Sequence, residues 1–275
     1  MVTQSLDGIE FTLAESTDLE FIRQYGRVFR VFDDHDSGNI SFGIDAGDQK
    51  LFIKLAGIAT TEAVVSAEAA IANLRAAEAV YRDLKHPHIV ELLDVIEHDP
   101  WFGLIFAWNE GTLLRRVNQE DFARFRALPL IQRLDALSQV IEVMQHIHNS
   151  GYVAIDIYDA SFLYDFEQGV LTVCDLDVCA RQPFINTMGR LWGSSRFMSP
   201  EEYELGATID EVTNVFTLGA VAHLFLGDER TKLKDDWEAG PALFEVATIA
   251  TSPERADRYP TIAAFAAAWS QASTR

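Results

Sequence analysis

A change of side-chain period along the chain limits the folds open to it. "GRVFRVFD" (26–33), "NISFGID" (39–45) and "QKLFIKL" (49–55) alternate apolar and polar residues with a period of two. "DHDSG" and "AGD" between them are rich in turn formers, so the three runs predict an antiparallel meander. From about Ala63 to Lys85 the period lengthens. Ala67, Ala70, Leu74, Ala77, Tyr81 and Leu84 recur at three- and four-residue steps, which predicts a helix with one apolar face. "HPHIVELLDVIEHD" (86–99) and "WFGLIFAW" (101–108) return to strand character, and "NEGTLL" (109–114), punctuated by Gly111, reads as a linker. Helix dominates beyond it. "LIQRLDALSQVIEVMQHIHNSG" (130–151) is amphipathic and stops at Gly151, two short strand-like runs follow around "SFLYDF" and "VLTVCDL", and the chain closes on "TIAAFAAAW". The expectation is an α+β fold of two lobes. Residues 1–108 form a small antiparallel-sheet lobe with one helix, and 109–275 a larger, mainly helical lobe.

The 275 residues are enough for a large core, and 48% hydrophobic with 23% charged residues is an ordinary globular composition. The longest apolar stretch, "VFTLGAVAHLFLG" (215–227), is too short to span a bilayer, and the N-terminus lacks the basic start and apolar core of a secretory signal. Cys174 and Cys179 offer no disulfide framework and have no Cys/His partners at zinc spacing, so a reducing cytoplasm is expected. A net charge of −20 argues against nucleic acid or an anionic membrane as partner. It suits a basic protein or peptide, although solubility alone is the simpler account.

Phosphoryl transfer asks for a cation on nucleotide phosphates, carboxylates on a divalent metal and an acid near the attacking hydroxyl. Lys54 is the lone cation of the apolar run "LFIKLAG". A lysine inside such a strand is costly unless it faces a cleft or an anion; the alternative is an edge strand with the lysine in water. Acids suited to the other two tasks stand in "GYVAIDIYDASFLYD" (151–165) and "VCDLD" (173–177).

The order "LFIKL", "LKHPHIV", "LIFAW", "HNSGYVAIDIYDAS", "VCDLD", "GSSRFMSPEE" and "NVFTLG" is similar to the eukaryotic-like protein kinase family and covers nearly the whole chain. "GSSRFMSPEE" (193–202) is the most specific piece, resembling the Gly-Thr-x-x-Tyr-Met-Ala-Pro-Glu segment. Small-molecule kinases of the aminoglycoside and choline type generally lack that segment, so the resemblance is to bacterial-type protein Ser/Thr kinases. It implies ATP with Mg²⁺, or Mn²⁺, as cofactors and transfer of the γ-phosphoryl group to a hydroxyl of a protein or peptide. By the same resemblance Asp156 orients that hydroxyl or takes its proton. Asp175 binds metal, Lys54 meets the α- and β-phosphates, and Phe106 is the gatekeeper beside adenine. The backbone of Ala107 and Asn109 contacts the base, Ser194 touches the catalytic aspartate, and Glu201 pairs with Arg258 as a buried structural ion pair.

The departures from the family pattern are as informative. Ser161 replaces the metal-binding asparagine and is a weaker ligand. Tyr158 replaces the loop lysine, and Asp177 the glycine after the metal-binding aspartate. Asp159 is an added acid, read as a solvated turn residue in preference to a metal ligand. Ile155 stands where an arginine normally clasps a phosphorylated activation segment, so the segment from Val178 to Ser199 is either ordered without phosphate or controlled elsewhere; Thr187 and Ser195 are its candidate phosphosites. The nucleotide-covering turn "DDHDSGN" (33–39) has Gly38 as its only glycine. Amides at Ser37 to Asn39 suit a phosphate, while Asp33, Asp34 and Asp36 repel one. The helix glutamate expected to pair with Lys54 falls on Ala77; Glu78 reaches that face only if the register shifts by one, and Asp175 is the other partner open to Lys54. Three functions follow: an active protein kinase, a pseudokinase acting as a binding or scaffold module, and a small-molecule phosphotransferase of the same fold.

Overall fold

The computed structural model describes residues 1–34, 36–116 and 119–274. His35, in the turn at 33–39, lies outside the described residues. The chain divides into two compact units: residues 1–85 with 90–109, and residues 86–89 with 110–275. The reading of one break after residue 108 differs from this in that His86–Ile89 groups with the second unit and Asn109 with the first.

The first unit begins with a hairpin that lies ahead of the expected meander. Strands β1 (Val2–Leu6) and β2 (Ile9–Leu13) pair in register from Val2↔Leu13 to Leu6↔Ile9. Asp7 and Gly8 between them both have positive φ, 52° and 86°, the backbone that an Asp-Gly hairpin turn requires. Strands β3 (Arg27–Phe32), β4 (Asn39–Asp45), β5 (Lys50–Ala56), β6 (Leu92–His98) and β7 (Trp101–Ala107) then form an antiparallel sheet in the order β3-β4-β5-β7-β6. Leu6, Phe11 and Leu13 of the hairpin join Ile40, Phe42, Ile44, Ile53, Leu55 and Ile105 in one buried cluster, so the hairpin covers one face of the sheet. Asp33 helps to hold it there, its Oδ2 accepting from Thr12 N at 2.6 Å.

Helix α1 (Ala67–Asp83) is shorter than the stretch from Ala63 to Lys85 because Ser66 caps it, Oγ accepting from Ala69 N at 3.2 Å. Ala70, Leu74, Ala77, Val80 and Tyr81 are its buried positions, whereas Ala67 is exposed. Tyr81 meets Phe106 edge-on at 4.8 Å, which sets α1 on the sheet face opposite the hairpin.

In the second unit, β8 (Thr112–Leu113) replaces part of the expected linker and pairs with β10 (Phe162–Asp165), which also pairs with β11 (Val170–Val173). Helix α2 (Gln119–Arg126) precedes α3 (Leu130–Asn149), after which comes β9 (Tyr152–Val153). The pair β12 (Ala180–Arg181) with β9, and β13 (Phe184–Ile185) with β14 (Thr208–Ile209), fasten the segment after residue 178 at two points. Helices α4 (Glu211–Leu226), α5 (Pro241–Ala250) and α6 (Ile262–Ser273) complete the unit. Helix α4 is buried from Thr213 to Leu226, so its polar residues need partners inside the protein. Among the described residues no helix is long and apolar enough to cross a membrane.

Candidate active site

In the first unit Lys54 lies on β5, the middle strand of five, and is half-buried. An edge-strand lysine facing water is therefore excluded. Its neighbours Ile53 and Leu55 point into the hairpin-side core, which places Lys54 on the other face with Phe52. That face is aromatic. Phe52 lies 5.7 Å from Phe32, 6.3 Å from Phe106 and 6.5 Å from Trp108, and Phe29 meets Trp108 at 4.9 Å. A methyl group added at Gly43 would come within 2.7 Å of Phe29 and 3.0 Å of Trp108, so these rings already fill the space over that part of the sheet. Phe106 is buried beneath Tyr81. The Ala107 amide donates to Glu91 O at 3.0 Å and the Trp108 amide to Lys50 O at 3.1 Å, ahead of Asn109 at the end of the unit.

One expectation for this unit is corrected, and one residue gains a packing role. Gly38, read as a phosphate-contacting turn residue, packs on the start of α1: at φ +73°, an added Cβ would stand 3.2 Å from both Ala70 Cβ and Val65 Cγ2. Val64 N donates to Asp36 O at 2.9 Å, tying the turn to the same place. Packing on the helix thus explains the glycine. The register shift that would bring Glu78 inward is not made, since Ala77 is fully buried and Glu78 pairs with Arg82 at 2.7 Å along the helix surface.

In the second unit Asp156 and Asp175 share an unusual backbone. Of four described non-glycine residues with positive φ, they are two, at 61° and 60°. Such geometry costs roughly 1–2 kcal/mol per residue and persists where surroundings over-determine it. The surroundings can be named. Asn214 on α4, nearly fully buried, grips Ala154 with both ends of its amide: Oδ1 accepts from Ala154 N at 2.9 Å and Nδ2 donates to Ala154 O at 2.7 Å. Ser161 Oγ donates to Asp156 O at 3.4 Å and accepts from Tyr158 N at 3.3 Å. Cys174 N donates to Ser161 O at 2.9 Å, linking the loop of Asp156 to that of Asp175.

Ser161 is fully buried with its hydroxyl engaged by backbone on both sides, so it braces the loop of Asp156. Burial, then the charges of Asp156 and Asp175, push the Tyr158 phenol well above its ordinary value and keep it a neutral hydrogen-bond donor. Cys179 is a buried thiol pushed up to about 12, first by burial, and is inert for that reason. Asp177 is half-buried.

Asp159 overturns its reading as a solvated turn residue. Only 1% exposed, it accepts from Arg196 at 2.6 Å through Oδ1 and from Arg116 N at 2.7 Å through Oδ2. Ser194 Oγ accepts from Arg196 Nε at 3.2 Å. The segment passes close to Asp156, since a Cβ added to Gly193 (φ +137°) would lie 3.5 Å from Asp156 Oδ1 and 3.2 Å from Met198. Glu201 and Arg258 form the expected buried pair, at 2.7 and 3.0 Å, and Arg255 joins Glu201 at 2.7 Å. Burial opposes the charge on Glu201, but the Arg258 guanidinium holds its carboxyl down to about 2. Glu202 has no such partner, and burial raises it to about 7 although Ser199 N and Oγ both donate to it.

The sequence reading gave no role to Asn214, Arg196 or Phe52. Each had a visible signal: a polar residue in an apolar helix, a charge inside the most specific motif, and a large ring two residues before Lys54.

The protein kinase domain family model matches residues 57–254. The chain is 24% identical over 192 residues to the serine/threonine-protein kinase nekl-2 of Caenorhabditis elegans, covering 68% of this chain and 52% of that protein. It is 34% identical over 94 residues to the mitogen-activated protein kinase kinase kinase mlk-1 of the same organism, covering 34% of this chain and 9% of that one. Serine/threonine-protein kinase 1 of African swine fever virus is 23% identical over 136 residues, covering 50% of this chain and 44% of that one. The chain thus spans about half, or less, of the length of these relatives.

Proposed function

Because this chain belongs to the protein kinase domain family, we propose that it is an active protein serine/threonine kinase in which Asp156 orients the accepting hydroxyl. One observation carries the reading: Asp156 and Asp175 both stand near φ +60°, outside the tight hairpin turn that accounts for the same backbone at Asp7, with Asn214 clamping Ala154 and Ser161 bracing Asp156 beside them. Relatives named as serine/threonine kinases support the class of acceptor.

The residues fit the phosphate and metal end of a nucleotide better than its base. Asp175 would hold the metal ion. Among the described residues no group of three His, Cys, Asp or Glu side chains is arranged to hold an ion alone, so its other ligands come from phosphate and water, as is usual for magnesium. Bound magnesium nucleotide supplies the phosphoryl group and neutralises charge on it. Lys54 contributes the cation that the family resemblance assigns to the phosphates, and Tyr158 a neutral donor near the two acids. A net charge of −20 favours a basic protein or peptide as acceptor, and two free cysteines accord with a reducing cytoplasm.

A second reading, a nucleotide-indifferent binding module, is favoured by Gly38 packing on α1 and by Ala77 in place of a glutamate. The two separate on γ-labelled ATP with Mg²⁺ or Mn²⁺ and a mixture of basic proteins as acceptors. The kinase reading expects label transfer by the wild type that falls at least ~10²-fold in Asp156→Asn. Equal silence of both proteins, with no thermal shift from either metal nucleotide, would end it; a thermal shift without transfer would favour the module.

A further inference from the structure

Ile155 removes the charge that would grip a phosphorylated segment, and the second unit carries two other fastenings in the same region. One is apolar. Ile155 is buried with Val153, Leu191, Met198 and Ile209, and Val178, Ala180 and Phe184 pack against them. The residue that ends the phosphate clasp is thus an anchor for both ends of the segment.

The other is ionic, with its polarity reversed: the cation sits on the segment and the acid on the catalytic loop. Arg196 donates to Asp159 Oδ1 at 2.6 Å and to Glu229 Oε1 at 2.8 Å, while its Nε reaches Ser194 at 3.2 Å. Glu229, in the turn after α4, is 2% exposed and also takes Arg116 at 2.6 Å on each oxygen. Arg116 completes the circuit, its backbone N–H donating to Asp159 Oδ2 at 2.7 Å and its guanidinium to Asp228 at 3.2 Å. Asp159 and Glu229 are both almost fully buried, where a carboxylate needs hydrogen-bonded cationic partners. Removing one member leaves a charge uncompensated, so the four residues hold or fail together.

We propose that Arg196 is a positioning residue which, with Asp159 and Glu229, fixes the activation segment on the catalytic loop by charges built into the chain, so that no phosphorylation is needed to set it. The effect on catalysis rests on the kinase reading above; the fastening itself does not.

The test is hydrogen exchange of residues 184–199 in the full, nucleotide-free chain, before and after phosphatase treatment verified by intact mass. It is run on the wild type, Arg196→Ala, Arg196→Lys and Asp159→Asn, with kcat and nucleotide KM measured on the same preparations. Wild-type protection should be unchanged by phosphatase, and Thr187→Ala with Ser195→Ala should keep wild-type turnover within about twofold. Arg196→Ala and Asp159→Asn should each speed exchange in this segment on the order of 100-fold, while α3 and α6 keep their protection. Asp159→Asn preserves side-chain shape and covers the case in which Arg196→Ala does not fold. Arg196→Ala combined with Asp159→Asn should exchange little faster than either single variant, since both break one network. Arg196→Lys should recover part of the protection, and kcat should fall with nucleotide KM held. Loss of wild-type protection or activity on dephosphorylation would overturn the proposal, as would wild-type exchange in both Arg196→Ala and Asp159→Asn. A wild type that transfers no phosphate yet keeps phosphatase-independent protection would sink the kinase reading and leave the fastening standing.

Discussion

The two units of this chain have departed from their family to different degrees. In the second, the motif acids sit in a fixed frame: Asn214 clamps Ala154, Ser161 braces Asp156, and Glu201 with Arg258 locks the segment to the helices behind it. In the first, Lys54 lies on the middle strand in a setting of a different kind. A hairpin covers one sheet face, aromatic rings line the other, and the glycine turn packs on α1. The family match begins at residue 57 and so omits the hairpin, the turn and Lys54 itself. The difference teaches that a few buried hydrogen bonds can keep the motif acids of this fold in place, while the sheet and its exposed turns are freer to change.

The largest effect should come from the frame of the second unit. Arg258→Ala leaves Glu201 buried and short of its main partner, and should cost about 3–5 kcal/mol in denaturant unfolding. Because Glu201 is held down to about 2 in the fold against an ordinary 4.5, its contribution is complete above about 4.5 and disappears as pH falls through 2. A loss below ~1 kcal/mol near neutral pH would break the claim that the pair is structural.

Phe52→Ala sharpens the other side of the comparison. Removing the half-buried ring should cost roughly 1–3 kcal/mol and raise nucleotide affinity roughly tenfold, with kcat unchanged. A fall in affinity would show that the rings serve as a stacking surface for the base, and that the first unit has not been turned away from nucleotide.

Glu202 gives a pH signature confined to the second unit. Its folded value near 7 lies above the ordinary 4.5, so between those values the native state keeps a proton that the unfolded chain has released. Stability therefore falls as pH rises from about 4.5 to 7. Glu202→Gln should match the wild type at pH 5 and exceed it by ~1–3 kcal/mol at pH 8, read by thermal unfolding. The smallest effect is at Ser161: Ser161→Ala should lose ~1 kcal/mol while leaving the magnesium dependence of transfer unaltered. A shifted magnesium dependence would restore it as a metal ligand.

Local patterns were legible wherever one segment carried its own signal. Alternation marked β3, β4 and β5, the apolar stripe marked α1, and Gly151 closed α3. The Asp-Gly turn of β1 and β2 was equally visible and passed over, although its hairpin sends Leu6, Phe11 and Leu13 into the first unit's core. What periodicity could not show depends on distant partners. Asp159 reads as a turn residue until Arg196, 37 positions on, and Arg116, 43 positions back, are brought to it. Gly38 also packs against Val65 and Ala70, neighbours that its own turn does not announce. Side-chain type suggests a chemistry, but which groups converge is decided by the long-range fold.

Under the proposed kinase function, phosphoryl transfer depends on Asp156 of the second unit. The direct measurement is single-turnover transfer from γ-labelled ATP at saturating Mn²⁺ or Mg²⁺ nucleotide, which separates binding from chemistry. The wild type should show a high nucleotide requirement, with a transfer rate at saturation that falls ~10²–10⁴-fold in Asp156→Asn. Saturable nucleotide binding with the same residual rate in both proteins would contradict that dependence.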